Sequence, residues 1–423
     1  MTKILRSEGK TPSGAAELFW PTKVYFDKVG DNIGGDLTSR GEPWRRVRTF
    51  IQSDLLSPAS SLDYVPNILH AAKYCSRGAP HYQDAFNSYL DLASFDMFHS
   101  VMLGYSPRSS DPTCTEKSPE DVALCKHISS SLRLGSKATK SPYDTIMNVY
   151  FGITTKLFKS FADEFSSGVS LAKPRLTALF AKEKGTEMEE RSYARKAQRR
   201  VRESETDLTE EDVLHILSGL TLAGVDTTAG YLSWRFLHIA LDEEAQERIL
   251  AELPAGDLTV ESVLPKNAPY LHACIRESHR LANNNVTIPV KTLQQDLEVH
   301  GVMLKKGDVV ALDGYSQGVD PEIVGVDAME FKPERFLSDA VNARKGTKAG
   351  DILDHALFGG PFSQGARRCP GSRVAHWEAV VLLAQLVKDW KISVPGVKHW
   401  TEVPYTLQTV TTATIPPLEF TPR

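Results

Sequence analysis

The chain has 423 residues, with 49 Lys and Arg against 53 Asp and Glu and a formal net charge of −4, which leaves none of the basic excess that nucleic-acid binding calls for. Its five cysteines are odd in number and form no CxxC pair, which argues against a disulfide framework or a zinc knuckle and for a reducing compartment. No apolar run reaches the roughly 18 residues that span a bilayer, and the start "MTKILRSEGKTPSG" lacks the apolar stretch of a secretory signal.

From about Glu17 to Glu247, apolar residues recur at three- and four-residue spacings, as in "SSLDYVPNILHAAKYC" and "HYQDAFNSYLDLASFDMFHSVMLG", so the front half is expected to be helical. "SPRSSDPTCTEKSPED" interrupts it as a Pro-, Ser- and acid-rich surface loop. Residues 191–202 hold six basic side chains and no acidic one, and the segment 191–207 reads as a basic-to-acidic surface linker with no assigned chemistry. After it, Thr209 is placed as an N-cap with Asp212 in the capping-box position, opening one long central helix. "LQQDLEVHGVMLKKGDVVALDGY" then shows short β-type runs broken by Gly301 and "KKGD", and "VPYTLQTVTTATIPPLEF" near the end is again strand and turn. The fold class expected is α+β, predominantly α.

Within the long helix, "AGVDTT" (residues 223–228) sets Gly224 and two β-branched threonines where glycine costs about 1 kcal/mol relative to alanine. A threonine hydroxyl bonding back one turn would open the helix and leave room for a small ligand beside Gly224, with Asp226 offering a proton path; close helix packing is the plain alternative. In "HACIRESHRL", Glu277 and Arg280 share a helix face. Arg335 in "FKPERF" can bring a second guanidinium to the same carboxylate, making a structural clamp.

The densest signal is "FSQGARRCPG". A free cysteine is more often a small core residue than a ligand. Here Gly365 and Gly371 permit tight turns, Pro370 removes an N–H, Arg367 supplies a nearby cation, and the following helix points its N-terminus at Cys369. That setting suits a thiolate, for which iron is the economical partner.

This stretch resembles the haem-binding signature of the cytochrome P-450 family, with Phe362, Gly365, Arg367, Cys369 and Gly371 in its places. "AGVDTT", the Glu277 and Arg280 pair, "PERF" and the cysteine loop follow in that family's order, and Trp44 and Arg48 in "GEPWRRVR" match its propionate-binding pair. The resemblance runs from about residue 15 to the end. It implies a single haem-binding domain over residues 1–423 with a large helical part and a smaller β-rich part. It also implies haem b as cofactor, Cys369 as the axial ligand of the iron, and Ala223 and Gly224 beside the haem. Arg367, Trp44, Arg48 and, more weakly, Lys291 would hold propionates. Thr227 and Asp226 would deliver protons to dioxygen. The implied reaction inserts one oxygen atom of O2 into an apolar, sterol- or lipid-like substrate, with two electrons from a ferredoxin or a diflavin reductase.

Three departures from the family pattern stand out. Only some forty residues precede Trp44, so the chain is expected either to be incomplete or to have an abbreviated β part with an unpaired edge near Val309 to Leu312. A membrane anchor or targeting segment would then lie ahead of residue 1, with mitochondrial or endoplasmic-reticulum localisation if it exists and cytoplasmic otherwise. "HRLANNNVTIPV" replaces the usual turn after the Glu277 helix, and Lys291 stands where arginine is frequent. "LAGVDTTAGYLSWRF" and "GEPWRRVR" look most like the mitochondrial type, with Arg276, Arg368, Arg373 and His272 as a positive face for an acidic ferredoxin. The substrate pocket is expected along residues 30–41, the helix face before Gly224, and residues 288–291 and 408–412. Two rivals remain in view: a haem-thiolate isomerase or dehydratase of hydroperoxides, against which Asp226 and Thr227 argue, and a non-catalytic haem-binding sensor.

Overall fold

The computed structural model describes residues 2–9, 12, 20–30, 41–282, 290–313, 315–355, 358, 362–407 and 410–423. A short helix α1 (Thr2–Ser7) leads into α2 (Trp20–Val29), α3 (Gly41–Leu55), α4 (Val65–Gly78), α5 (Phe86–Leu103), α6 (Pro119–Lys140) and α7 (Lys156–Ala181). Local chemistry sets several of these starts. Ser118 caps α6 by accepting from Asp121 N with Pro119 at the first helical position, and Thr155 caps α7 by accepting from Phe158 N.

The loop between α5 and α6 is anchored rather than loose. The buried carboxylate of Asp96 on α5 accepts from Ser109 N and Ser110 N, both at 2.8 Å, and from Ser110 Oγ at 2.6 Å. This draws Ser109, Ser110 and Asp111 into the interior and leaves the later part of the stretch at the surface.

The expected linker at 191–207 is corrected by helix α8 (Tyr193–Arg202), which Ser192 caps. Tyr193, Ala194 and Ala197 are buried on one face, and Arg195 donates to Lys182 O at 3.0 Å and to Gln198 Oε1 at 2.9 Å. Arg195 is buried with that face, and the remaining basic residues of the helix, Lys196, Arg199, Arg200 and Arg202, are partly or fully exposed on a packed amphipathic helix.

The expected long helix is two helices end to end, α9 (Glu210–Ala223) and α10 (Asp226–Ala240). Thr209 and Asp212 form the anticipated capping box at its start. The break falls at Gly224 and Val225. A Cβ at Gly224 would stand 2.5 Å from the ring of Phe98 on α5, so glycine is required there by close packing. Beyond the break α10 is buried almost all round, with Phe236 stacked on Phe86 at 4.1 Å between ring centroids. Helix α11 (Pro269–Leu281) and helix α12 (Ser372–Asp389) pack against the same core.

The strands form four two-stranded antiparallel sheets among the described residues. β1 (Val290–Thr292) pairs with β4 (Val309–Ala311), and β2 (Leu297–Val299) pairs with β3 (Val302–Leu304) through a two-residue turn. That turn uses His300 and Gly301, both at positive φ (49° and 80°), the conformation a tight hairpin requires. β4 has β1 on one side and no second neighbour among the described residues. Near the end, β5 (Trp390–Ser393) pairs with β8 (Glu419–Pro422) and β6 (Tyr405–Leu407) with β7 (Thr411–Ala413), and β7 lies along α10.

Candidate active site

The cysteine loop is closed by its own backbone. Cys369 N donates to Phe362 O at 2.8 Å and Arg368 N to Gly365 O at 3.1 Å. Ser363 and Gly365 sit at positive φ (59° and 83°), and the Phe362 ring packs on Tyr231 of α10 at 5.0 Å. Gly371 differs from expectation: its φ of −80° is ordinary, and a Cβ there would lie 3.9 Å from the sulfur without clash. No tight turn requires this glycine.

Burial pushes the Cys369 thiol up, while the Gly371 N–H, Arg48 and Arg368 pull it down. Burial prevails, so the protein groups around the sulfur do not by themselves favour the thiolate. The cation expected beside it, Arg367, is instead spread over the Trp44 ring at 4.2 Å and donates through Nε to Pro12 O at 2.9 Å. Arg48, buried on α3, fills that role: its guanidinium donates to the carbonyl of Arg368, next to the sulfur, and to Gln52 Oε1 at 3.2 Å. Lys291 on β1 donates to Gln364 O at 2.6 Å. Trp44, Arg48, Lys291 and Arg367 are thus all tied to residues 364–369.

The α9–α10 break supplies another part. Thr227 Oγ1 donates to Ala223 O at 2.9 Å, the back-bond anticipated for an opened turn. Ala223 is exposed and Thr227 partly so, although Leu222, Val225, Asp226 and Thr228 beside them are buried. The half-buried cysteine and the cations tied to its loop would suit a dicarboxylate group ligated by sulfur, the small-residue face leaves open space at the helix break, and the donor set fits haem.

Asp226 lies outside that face. It lines a cavity of about 220 Å3 with Asp91 of α5, Arg133 of α6 and Gly230 of α10. Arg133 donates to Asp91 at 2.6 Å. Burial raises the Asp226 carboxyl while Arg133 lowers it; burial and the neighbouring Asp226 push Asp91 up to about 7, against the pull of Arg133. Sequence reasoning missed Asp91 and Arg133; the available signal was an acid inside the apolar run "SYLDLASF". It also missed Glu378, fully buried on α12 and pushed up to about 8 by burial. Its oxygens make no well-formed hydrogen bond, and the Thr228 side chain alone lies close enough to favour its ionised form.

Glu277, Arg280 and Arg335 come together as a clamp away from these groups. Arg280 donates to Glu277 through Nε at 2.8 Å and Nη2 at 2.7 Å with both side chains 0% exposed, and Arg335 Nε approaches the carboxylate at 3.4 Å. Arg280 also donates to the carbonyls of Gly318 and Glu330 at 2.6 and 3.0 Å, and Lys332 N donates to Glu277 at 2.9 Å.

The expected cationic face is narrower than four residues. Arg276 is paired with Asp354 at 3.1 Å, and burial lowers the pKa of His272, which contacts Val263 O at 2.9 Å. Arg368 and Arg373 remain, each close enough to act on the other. Of the expected pocket lining, residues 31–40, 288–289 and 408–409 lie outside the described residues.

The profile of the cytochrome P450 family matches residues 1–417 of this chain. Human mitochondrial sterol 26-hydroxylase is 24% identical over 93% of this chain and 73% of its own length. Ferruginol synthase of Salvia miltiorrhiza is 30% identical over 45% of this chain and 38% of its own length, and the P450 monooxygenase iliC of Neonectria sp. is 35% identical over 39% and 32%. Apart from the sterol 26-hydroxylase, the match spans less than half of the length of each of these relatives.

Proposed function

Because the chain belongs to the cytochrome P450 family, we propose that it is a haem-thiolate monooxygenase, holding haem b through Cys369 and inserting one oxygen atom of O2 into an apolar, sterol- or lipid-like substrate. The observation that carries this reading is the opened helix turn, Thr227 bonded to Ala223 O beside an exposed small-residue face, in a chain whose cysteine loop is tied to Arg48 and Lys291. When bound, haem supplies the iron centre at which dioxygen is activated with two electrons. Trp44, Arg48, Lys291 and Arg367 would hold its carboxylates. Thr227 keeps a hydroxyl at the opened turn, able to exchange its bond to Ala223 O for one to the reacting oxygen. Asp226 lines the cavity shared with Asp91 and Arg133 and would supply protons from that side. An isomerase needs no proton relay to oxygen, so the presence of Asp226 and Thr227 favours the monooxygenase over the isomerase.

The sterol- or lipid-like substrate class is supported by the near full-length match to a sterol hydroxylase. Arg368 and Arg373 support docking of an acidic electron donor, either a ferredoxin or the flavin domain of a reductase. Among the described residues no helix is long and apolar enough to cross a membrane. Tyr150 (77% exposed), Phe151 (68%) and neighbouring Tyr143, Ile146 and Ile153 between α6 and α7 support peripheral contact with a lipid surface. The test is turnover of a sterol and fatty-acid panel, preselected by substrate-induced spin shift, with each donor type in turn. Product formation dependent on one donor supports the reading; spin shifts without product from either donor would favour the sensor.

A further inference from the structure

Glu8, just after α1, belongs to no mechanism described above, yet it is 2% exposed. Its Oε1 lies 3.2 Å from Nζ of Lys291, itself only 4% exposed. Its Oε2 is buried with no hydrogen-bond partner. Gly365 makes room for it: at φ +83° a Cβ there would stand 2.5 Å from Oε2. The charged groups acting on Glu8 are Lys291 on β1 and Arg367 in the cysteine loop, while Lys3 on α1 and Glu298 on β2, the strand packed against α1, are exposed.

A protein carboxylate therefore already sits among the groups that the proposed function assigns to the haem propionates. Two cations act on Glu8, Lys291 and Arg367, and Glu8 with two propionates would set three negative charges against them in a largely buried space. Carboxylates crowded in a low-dielectric site cannot all ionise, and one of them takes a proton. Glu8 is the one whose second oxygen has no donor to stabilise a negative charge. Burial already raises its pKa despite Lys291, which agrees with that choice.

We propose that Glu8 is the proton-coupled counter-group of the haem site: as an anion it neutralises Lys291 in the haem-free chain, and it takes one proton from solvent as a propionate claims that lysine. The step is a proton transfer alone, from water or buffer to Glu8 Oε2, with no change of oxidation state. The protonated carboxyl then has an O–H that it could donate to a propionate, which would join α1 to the cofactor. This inference rests on the haem reading above.

The linkage has a definite sign. Haem is held with Glu8 protonated and released with Glu8 ionised, so this group weakens retention as pH rises, by at most about tenfold per unit, while Cys369, which gives up its proton on taking iron, acts in the opposite sense and is common to wild type and variants. The experiment is the rate of haem transfer from the purified holoprotein to excess apomyoglobin between pH 6 and 9. Relative to Glu8→Gln, which keeps a donor and cannot ionise, wild type should lose haem several-fold faster at the alkaline end than it does at pH 6. Lys291→Gln, which removes the partner instead, should move the profile in the same direction as Glu8→Gln and serves if the first variant fails to fold. Superimposable profiles of wild type and either variant overturn the proposal while leaving a haem-bound protein. A purified protein that never retains haem would instead refute the underlying haem reading, so the two failures are distinguishable.

Discussion

Replacing Glu277 with alanine should remove a substantial part of the stability of this protein, although the residue lies outside the reacting groups. Its carboxylate receives two bonds from Arg280 and one from Lys332 N, with Arg335 at 3.4 Å, and the Glu277–Arg280 pair is 0% exposed. Truncation leaves the Arg280 guanidinium buried with backbone carbonyls but no anion. Breaking a buried pair in this way costs about 3–5 kcal/mol, against a typical total of about 5–15 kcal/mol. Arg335→Ala should cost only about 1 kcal/mol, because Arg335 is the looser partner of Glu277 and its tightest contact, with Asp327 at 2.6 Å, is to a partly exposed carboxylate. Urea unfolding of the holoproteins, followed by tryptophan emission and by the haem band, measures both. A loss below about 1 kcal/mol for Glu277→Ala, or equal losses for the two variants, would refute the reasoning.

Thr227→Ala should leave haem content and stability near wild type, since it deletes a single hydroxyl bonded to Ala223 O, while electrons are diverted to hydrogen peroxide; measured ratios of NAD(P)H, peroxide and product check this, and full coupling would make the motif a packing feature. Asp226→Asn should slow the whole cycle and enlarge the solvent isotope effect without that loss of coupling. Glu378 is held neutral up to about 8 in the fold, so its contribution to stability is present below its unfolded pKa and is lost as pH rises towards 8; Glu378→Gln should match wild type at pH 5 and exceed it at pH 8.5 in chemical denaturation, and parallel curves would contradict this. Tyr150→Ser combined with Phe151→Ser should reduce co-flotation with phosphatidylcholine vesicles, and unchanged flotation would remove this segment from the membrane-contact reading.

Much of the site was legible because its chemistry is written in contiguous strings. "FSQGARRCPG" and "AGVDTT" each place their special residues within one turn or loop, and the Thr209 capping box is a three-residue relation. What could not be read depended on residues far apart. Arg367 was assigned to the sulfur and proved to lie on Trp44, 323 positions away in the chain, because the loop turns at Ser363 and Gly365. The Arg191–Arg202 run looked like a linker because its charges outnumber the Tyr193, Ala194 and Ala197 face that buries it. Gly224 is required by Phe98 on another helix, Arg276 is neutralised by Asp354, and Glu8 reaches Lys291 across 283 positions. Tertiary pairing of this kind leaves no periodic trace.

The central claim, an iron held by the sulfur of Cys369, is tested most directly by the difference spectrum of the reduced protein with and without carbon monoxide. The account predicts the strongly red-shifted band of a thiolate-ligated haem in wild type, and its loss in Cys369→Ser with helical content largely preserved. The same red-shifted band persisting in Cys369→Ser, or a wild-type protein that binds haem without ever showing it, would contradict the account.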